Sequence, residues 1–282
     1  MKYLMKISYD GSRFEGFQRL RNGRGVQNEV ERVLSIIASK KVVVKGASRT
    51  DRGVHANNQG VSFDLDINIS LDKLKYVVNN LLNPYVKAND ISICDMNFHA
   101  RFNALKKRYV YKIYKDGKDP FLFNYAYLIN YNIDTKLLYD ALKVFIGKHN
   151  FKNFVSGEHN TYESEIYDIS IEEGEKYIII SITGKAFYRY MVRSIIGAAL
   201  MVALHKRTID DLVSSLELKN NNRFVVAPSN GLYLDEIWYK WLKLILFNQF
   251  LFDKLTIISY NFNWYILFVL ICDAVGRCYV EK

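Results

Sequence analysis

The sequence predicts a mixed α+β protein in which a β-α-β-β-α-β series of elements occurs twice. Residues 2–9 (KYLMKISY) alternate between polar and apolar side chains, which is typical of a half-buried strand. Residues 26–39 carry apolar side chains three and four positions apart, which indicates an amphipathic helix. The two patterns follow one another along residues 2–98, and again along residues 108–239, in the order of ferredoxin-like folds.

A proline marks the end of the second predicted helix in the first series. A helix over residues 71–82 stops before Asn83-Pro84, because the residue before a proline is held out of the helical region. The full series is a strand at 2–9, a helix at 26–39, strands at 42–45 and 60–66, a helix at 71–82 and a strand at 91–98.

The second series repeats this order with one additional helix. Asp134 is predicted to cap its first helix, since a side-chain oxygen there accepts hydrogen bonds from the first turn. The predicted elements are a strand at 108–115, a helix at 134–147, paired strands at 165–171 and 177–183, helices at 186–204 and 209–216, and a strand at 231–239.

The repeat predicts two domains, residues 1–104 and residues 105–239, whose sheets can adjoin. The cleft between them is the natural place for a site. Residues 240–282 form an atypical hydrophobic tail, and its longest dense apolar run is WYILFVLIC. Because a spanning helix needs about 20 apolar residues, we expect the tail to pack against the body or to be poorly ordered rather than to enter a membrane.

Composition favours an anionic partner. The 282 residues carry a formal net charge of +10, which indicates nucleic acid first and a membrane surface second. Three cysteines without a CxxC pair predict neither a disulfide framework nor a zinc ribbon, and scattered histidines predict no metal site. The N-terminus lacks the apolar core of a signal peptide, so a cytoplasmic setting is expected.

The stretch GASRTDRGVHA, residues 46–56, is the strongest candidate for a catalytic centre. Asp51 stands in a glycine-containing loop after a predicted strand, between Arg49 and Arg52. Positive neighbours favour the ionised form of a carboxylate, so the sequence predicts a low pKa, and an ionised carboxylate can attack carbon. The alternative interpretation is an ordinary turn, in which Gly, Ser, Thr and Asp are common.

The signatures of several other chemistries are missing from the sequence. No second acid stands in a comparable context, which argues against hydrolysis of glycosides by paired carboxylates. No Walker A or GxGxxG pattern is present, which argues against nucleotide-dependent chemistry. A cofactor-free reaction of a single carboxylate on a nucleic acid is what remains.

Basic and aromatic residues gather near predicted loops and strand ends. Cations around a cleft would neutralise phosphates, and aromatic side chains between them can stack on bases, although most of the aromatics are equally well explained as core. The basic residues are Arg19, Arg21 and Arg24 after the first strand, Lys106, Lys107 and Arg108 at the fifth strand, and Arg189 and Arg193 on one helix face.

Six motifs, in order, resemble those of one known family. They are YDGSRFEGFQRLRNGRGVQNEVE, GASRTDRGVHANNQGVSFD, FHARFNALKKRYVYKI, GKHNFKNF, AFYRYMVRSIIG and APSNGLYL. Over residues 3–239 the chain is similar to the tRNA pseudouridine synthase A family. The resemblance implies a continuous, mainly antiparallel sheet with an active-site cleft, a homodimer, tRNA as partner, no cofactor and a cytoplasmic setting. It also implies isomerisation of uridines 38, 39 and 40 of the anticodon stem-loop after base flipping.

The resemblance implies roles for individual residues. Asp51 would be the nucleophile, and Arg193 would pair with it and keep it ionised. Arg49 would help to displace the uridine from its stack, and Tyr109 would stack beneath the flipped base. The substrate contacts expected from the basic charge and the motifs are Arg19, Arg21, Arg24, Arg52 and His55.

The chain departs from the family pattern in a few places. Ser48 and Arg52 stand where glycine and alanine are usual, and Ser194 stands where asparagine is usual. The tail matches none of the six motifs. Two other functions stay open on sequence alone: a non-catalytic RNA-binding protein, against which the missing RNP1 pattern counts, and a basic protein held at a membrane by its tail.

Removal of residues 241–282 is expected to leave catalysis on tRNA within about tenfold of the full chain, a difference of about 1.4 kcal/mol. All six motifs lie before residue 240, so the tail contributes no residue to the predicted site. Activity of the truncated and full-length proteins on unmodified tRNA measures this. A soluble, folded truncation without activity would contradict it.

Overall fold

A computed structural model describes residues 1–220 and 224–240 of the chain. In that part the strands are β1 Lys2–Tyr9, β2 Lys45–Gly46, β3 His55–Asp64, β4 Val86–Cys94, β5 Ala104–Tyr114, β6 Tyr127–Leu128, β7 Gly147–Asn150, β8 Glu163–Glu173, β9 Tyr177–Gly184 and β10 Leu232–Tyr239. The helices are α1 Val26–Ala38, α2 Leu71–Leu81, α3 Thr135–Lys143, α4 Met191–Ala203 and α5 Ile209–Leu216. The predictions for residues 241–282 lie outside the described residues.

All the strands of the described residues join one sheet. Its order is β4-β1-β3-β10-β5-β9-β8-β7, with β2 paired to β3 and β6 paired to β5. The orders β4-β1-β3-β2 and β10-β5-β9-β8 both follow the ferredoxin-like arrangement, so the predicted fold class and the continuous, mostly antiparallel sheet are confirmed. Met1–Tyr239 form one compact unit, and the division into domains at residue 104 stays a prediction.

The last strand lies between the two halves of the sheet. β10 pairs antiparallel with β5, with Leu232 opposite Tyr111 and Leu234 opposite Tyr109. It pairs parallel with β3 only at Tyr233–His55 and Leu234–Ala56. Because β3 and β10 run in the same direction, the segments that precede them meet at one edge of the sheet. These segments are residues 49–54 and residues 227–231.

The helices bury apolar faces against the sheet and against one another. Asp134 caps α3 as predicted, since its carboxylate accepts a hydrogen bond from the Leu137 amide at 2.8 Å. In α4, eleven of thirteen residues are buried, so this helix is surrounded by protein rather than exposed along one face. Within the described residues, the helices are all too short or too polar to cross a membrane.

Polar residues account for the strand boundaries that the sequence pattern misses. The strand predicted at 60–66 begins earlier, at His55. The sequence pattern misses this start because Asn57 and Asn58 interrupt the alternation. In the structure their side chains donate to the carboxylates of Asp235 and Glu236 on β10. The strand predicted at 91–98 is β4, which begins at Val86, and its pairing with β1 shifts register where polar residues interrupt the pattern.

Residues 42–45 form less of a strand than their apolar side chains predict. Only Lys45 belongs to β2, since the Val42 amide donates to Ser35 Oγ and the Val44 amide donates to Glu31 Oε1. The side chains of α1 therefore accept the hydrogen bonds that a neighbouring strand would otherwise accept from these amides. Residues 42–44 are thus bonded to α1, and the run KVVVK joins the sheet only at Lys45.

Two predicted helices are longer than the observed ones. The helix predicted at 134–147 ends at Lys143, because Phe145 and Ile146 donate to carbonyls three residues back and Gly147 turns with φ +105° into β7. The helix predicted at 186–204 begins only at Met191. The residues before it, including Tyr190 with φ +63°, form an irregular segment instead.

Gly197→Ala is expected to destabilise the fold by about 1–3 kcal/mol, although alanine is ordinarily the better helix former. A Cβ at Gly197 would lie 1.7 Å from the Val225 carbonyl oxygen, so α4 and the segment before β10 would have to separate. Urea unfolding measures the change. The exposed helical substitution Asn80→Ala, as a control, is expected to change stability by less than about 0.5 kcal/mol, and an unchanged midpoint for Gly197→Ala would contradict the close approach.

Candidate active site

A cavity of about 540 Å³ opens beside the sheet edge where the segments before β3 and β10 meet. Four stretches of chain supply most of its lining: the loop after β1, the loop before β3, the buried face of β5, and the segment that leads into α4. Arg101, His159 and Leu232 complete it. The predicted site residues on its wall are Arg49, Asp51, Arg52, Tyr109 and Arg193. The fold thus gathers residues that are far apart in the sequence around one opening.

The loop that carries Asp51 is contacted from two directions. The Phe17 amide donates to the Thr50 carbonyl at 3.0 Å, and Gly16 approaches so closely that a Cβ there would lie 3.0 Å from the same oxygen. On the other side Gly53, with φ +79°, leaves room for Ser229 of the APSNG motif. Glycine is required at both positions because their φ angles are strained for other residues.

Asp51 and Arg193 form an ion pair inside the cavity. A guanidinium nitrogen of Arg193 lies 3.8 Å from Asp51 Oδ2, and the side chains are 16% and 19% exposed. Arg193 Nε donates to the Ala227 carbonyl at 2.7 Å, and the Ala227 amide donates back to the Arg193 carbonyl. The segment before β10 therefore holds this arginine in place.

Tyr109 lies at the floor of the cavity with its hydroxyl already bonded. Its Oη and Ser48 Oγ are 2.8 Å apart, and its ring meets Phe187 edge to face at 5.0 Å. Ser48 is fixed in turn by Gln59, which accepts from the Ser48 amide and donates to its carbonyl. Burial raises the pKa of Tyr109 to about 12, so the phenol stays protonated.

Comparison with known proteins places the chain in a family. A family model described as tRNA pseudouridine synthase matches residues 141–240. The protein named tRNA pseudouridine synthase A from Staphylococcus carnosus is 37% identical over 254 residues, which is 87% of this chain and 93% of that protein. The chain belongs to the tRNA pseudouridine synthase A family. The resemblance seen in its motifs is thereby confirmed, and so is the enzyme class, an isomerase.

Other members of the tRNA pseudouridine synthase A family match over the same range. The protein of that name from Dictyoglomus thermophilum is 38% identical, covering 85% of this chain and all of its own length (100%). The one from Borreliella afzelii is 36% identical, and the match covers 85% of this chain and 99% of that protein. A chain in a Cbf5-Nop10-Gar1 complex is 13% identical over 71% of this chain and 54% of its own, with a TM-score of 0.30, too low to compare folds.

The pKa of the family's motif acid differs from the sequence-based prediction. Burial raises the pKa of Asp51, and the opposing effect of Arg193 and then Arg189 is smaller. The predicted low pKa is wrong, because the flanking Arg49 and Arg52 are exposed whereas the carboxylate lies in a low-dielectric recess. The two arginines of the AFYRYMVRSIIG motif are the ones that counter its burial.

Lys107 is a cavity residue that the basic run Lys106-Lys107-Arg108 does not by itself distinguish from its neighbours. It is 7% exposed, its Nζ donates to the Ala47 carbonyl at 2.7 Å, and burial lowers its pKa to about 8. Lys106 instead lies over the Trp238 ring, and Arg108 pairs with Asp235 at 2.6 Å. The alternation of β5 could have found Lys107, because it shares a face with Tyr109.

The three predicted arginines of the first loop lie outside the cavity lining. Arg19 pairs with Glu31 on α1, and Arg24 lies 3.7 Å from Glu15, a residue at the cavity wall. Arg21 is exposed. Among the described residues, none of the three lines the cavity, so any contact they make with a substrate would be outside it.

His55, predicted to bind substrate, is buried between Gly11, which follows β1, and Asn124. It is 2% exposed, Nδ1 accepts from the Gly11 amide at 3.1 Å, and Nε2 lies 2.8 Å from the Asn124 carbonyl. Its ring also stacks on Tyr233 at 4.6 Å. Burial lowers its pKa, so the neutral ring donates to Asn124. His55 thus lies outside the cavity lining, and its contact with substrate stays a prediction.

Arg193→Gln is expected to raise the pKa of Asp51 further, because the change removes the larger of the two charges that oppose its burial. A ¹³C NMR titration of the Asp51 carboxyl group measures the shift. Arg207→Gln, at an exposed position after α4, should leave the titration unchanged. An Asp51 pKa that is unchanged or lower in Arg193→Gln would show that this arginine does not stabilise the carboxylate.

Proposed function

We propose that this protein converts uridines 38, 39 and 40 of the tRNA anticodon stem-loop to pseudouridine, with Asp51 as the nucleophile. Its relatives support the reaction, since those cited above are named tRNA pseudouridine synthase A. The observation that carries the proposal is the placement of Asp51, a largely buried carboxylate on the cavity wall, 3.8 Å from Arg193. An acid that served only as a turn residue would have no need of a buried partner.

The charges around the cavity support an RNA substrate. Arg49, Arg52, Arg101 and Arg189 line it and are exposed. Exposed guanidinium groups can neutralise phosphates and release counterions, so the affinity for tRNA should fall as salt is raised. The cavity volume of about 540 Å³ is in the range that accepts one small ligand, and a single extruded nucleotide is a ligand of that size.

Base flipping is required because a stacked uridine hides its glycosidic carbon and ring face from the protein. Extrusion costs a few kcal/mol, which stacking on an aromatic side chain offsets by about 1–3 kcal/mol. Tyr109 and Phe187 supply aromatic surface at the cavity floor, with Tyr109 fixed by Ser48. Arg49 is exposed two residues before Asp51, which suits the role of helping to displace the uridine from its stack.

The proposed reaction rearranges one nucleotide without adding or removing atoms. The N1–C1′ bond breaks, the uracil ring turns, and C5 bonds to C1′, while the proton on C5 is lost and N1 gains one. The bond that Asp51 forms to carbon as nucleophile breaks again, so its carboxylate is regenerated. Asp51 must be ionised to act as the nucleophile, and Arg193 and Arg189 favour that form against burial. The reaction needs no oxidant and consumes no water. A homodimer and a cytoplasmic setting belong to the same proposal, since the resemblance implies both.

Asp51→Asn is expected to abolish pseudouridine formation while leaving tRNA binding intact. An amide keeps the size and turn-forming capacity of the acid but cannot attack carbon, whereas the arginines that hold the phosphates are unchanged. Single-turnover assays at saturating enzyme, with pseudouridine mapped nucleotide by nucleotide in the anticodon stem-loop, measure the loss. Asp168→Asn, at an exposed position on β8, is the matched control and should keep parental activity.

Two outcomes of that experiment would overturn different parts of the proposal. Substantial activity in Asp51→Asn would remove the nucleophile assignment, because asparagine is an equally good turn residue. Pseudouridine formed by the parent only at positions other than 38, 39 and 40 would remove the proposed specificity and leave the reaction.

A further inference from the structure

Tyr190 has a backbone conformation that side chains with a Cβ rarely adopt. Its φ is +63° and its ψ is −3°, at the residue directly before α4. Glycine and asparagine occupy this left-handed region readily, whereas a bulky side chain there is strained. Strained residues persist where the surrounding structure holds them, and they are concentrated at functional sites. The question is therefore what the Tyr190 side chain does that keeps a bulky residue at this strained position.

The Tyr190 ring contacts both arginines that act on Asp51. The guanidinium carbons of Arg189 and Arg193 each lie 5.0 Å from the centre of the ring, within the range of cation–π attraction. Tyr190 also lines the cavity, and its carbonyl accepts from the Ser194 amide in the first turn of α4. The ring is thus a surface shared by the two cations, fixed to the start of the helix.

An arginine side chain has several freely rotating bonds, so its charge is effective at one place only if something restricts it. Arg193 is restricted by the Ala227 carbonyl at one nitrogen and by the Tyr190 ring at its face. Arg189 is exposed, and the same ring limits where its charge can lie. The ring therefore contributes to keeping both charges on the side of Asp51.

We propose that Tyr190 is a positioning residue, whose ring holds Arg189 and Arg193 around Asp51 and whose strained backbone is retained for that purpose. The inference rests on the proposed function for its activity readout. Besides these two arginines and Tyr190 itself, the charged and titratable groups around Asp51 are those that flank it or share its cavity: Glu15, Arg49, Arg52, Arg101, Lys107, Tyr109, His159 and Tyr188. None of them is changed by a substitution at Tyr190.

The test compares Tyr190→Asn with Tyr190→Phe. Asparagine accepts the left-handed backbone but removes the ring, so the melting temperature should be unchanged or higher. Loss of two cation–π contacts should lower kcat about tenfold in steady-state assays. The acidic limb of the rate–pH profile should move to higher pH, because the carboxylate loses positive charge that opposes its burial. Phenylalanine keeps the ring and should keep the parental profile, with kcat within about threefold.

Two outcomes in Tyr190→Asn would overturn the inference. A parental kcat and parental acidic limb in Tyr190→Asn would show that the ring does not position the arginines. A fall in melting temperature, with the acidic limb in place, would show that Tyr190 only packs. A parent protein that forms no pseudouridine on tRNA would instead refute the proposed function, and a ¹³C titration of Asp51 in Tyr190→Asn would still test the ring.

Discussion

The pairing of β10 between β3 and β5 is the constraint on which the rest of the structure depends. It joins two halves that each have the ferredoxin-like strand order into one sheet. Because it runs parallel to β3, it places the APSNG segment beside the loop of Asp51, where Ser229 meets Gly53. Because it runs antiparallel to β5, it places Tyr109 at the same edge. The cavity opens beside this junction, lined by the Asp51 loop, by β5 and by Leu232 at the start of β10.

Burial and charge act against each other at Asp51, and the fold supplies both. Enclosure of the carboxylate raises its pKa, whereas Arg193 and Arg189 lower it by a smaller amount. A chain that only maximised stability would not bury an acid 3.8 Å from its partner without a close hydrogen bond between them. The strain at Tyr190 and the closely packed glycines of the two loops are found in the same small region, as expected where a site has requirements of its own.

Local patterns predicted the elements whose hydrogen bonds are local. The helix at 209–216 was predicted to the residue, and Asp134 caps α3, because capping and helical spacing are properties of neighbouring residues. Asn57 and Asn58 interrupted the pattern of β3, since their partners on β10 are remote in sequence. The shift in the pKa of Asp51 was predicted in the wrong direction for the same reason. Its flanking arginines are visible in the sequence, but its enclosure is created by distant segments.

The junction of β10 with β3 also determines at what stage of synthesis and folding the site can form. Asn57 and Asp235, which bond across this junction, are 178 residues apart. During synthesis from the N-terminus, the loop of Asp51 emerges long before Ala227 and β10, which fix Arg193 and complete the cavity wall. Contacts of such separation are made late, after the entropy of closing a long loop has been met. A nascent chain therefore carries its acid early but has no assembled site until nearly all of the sheet has been made.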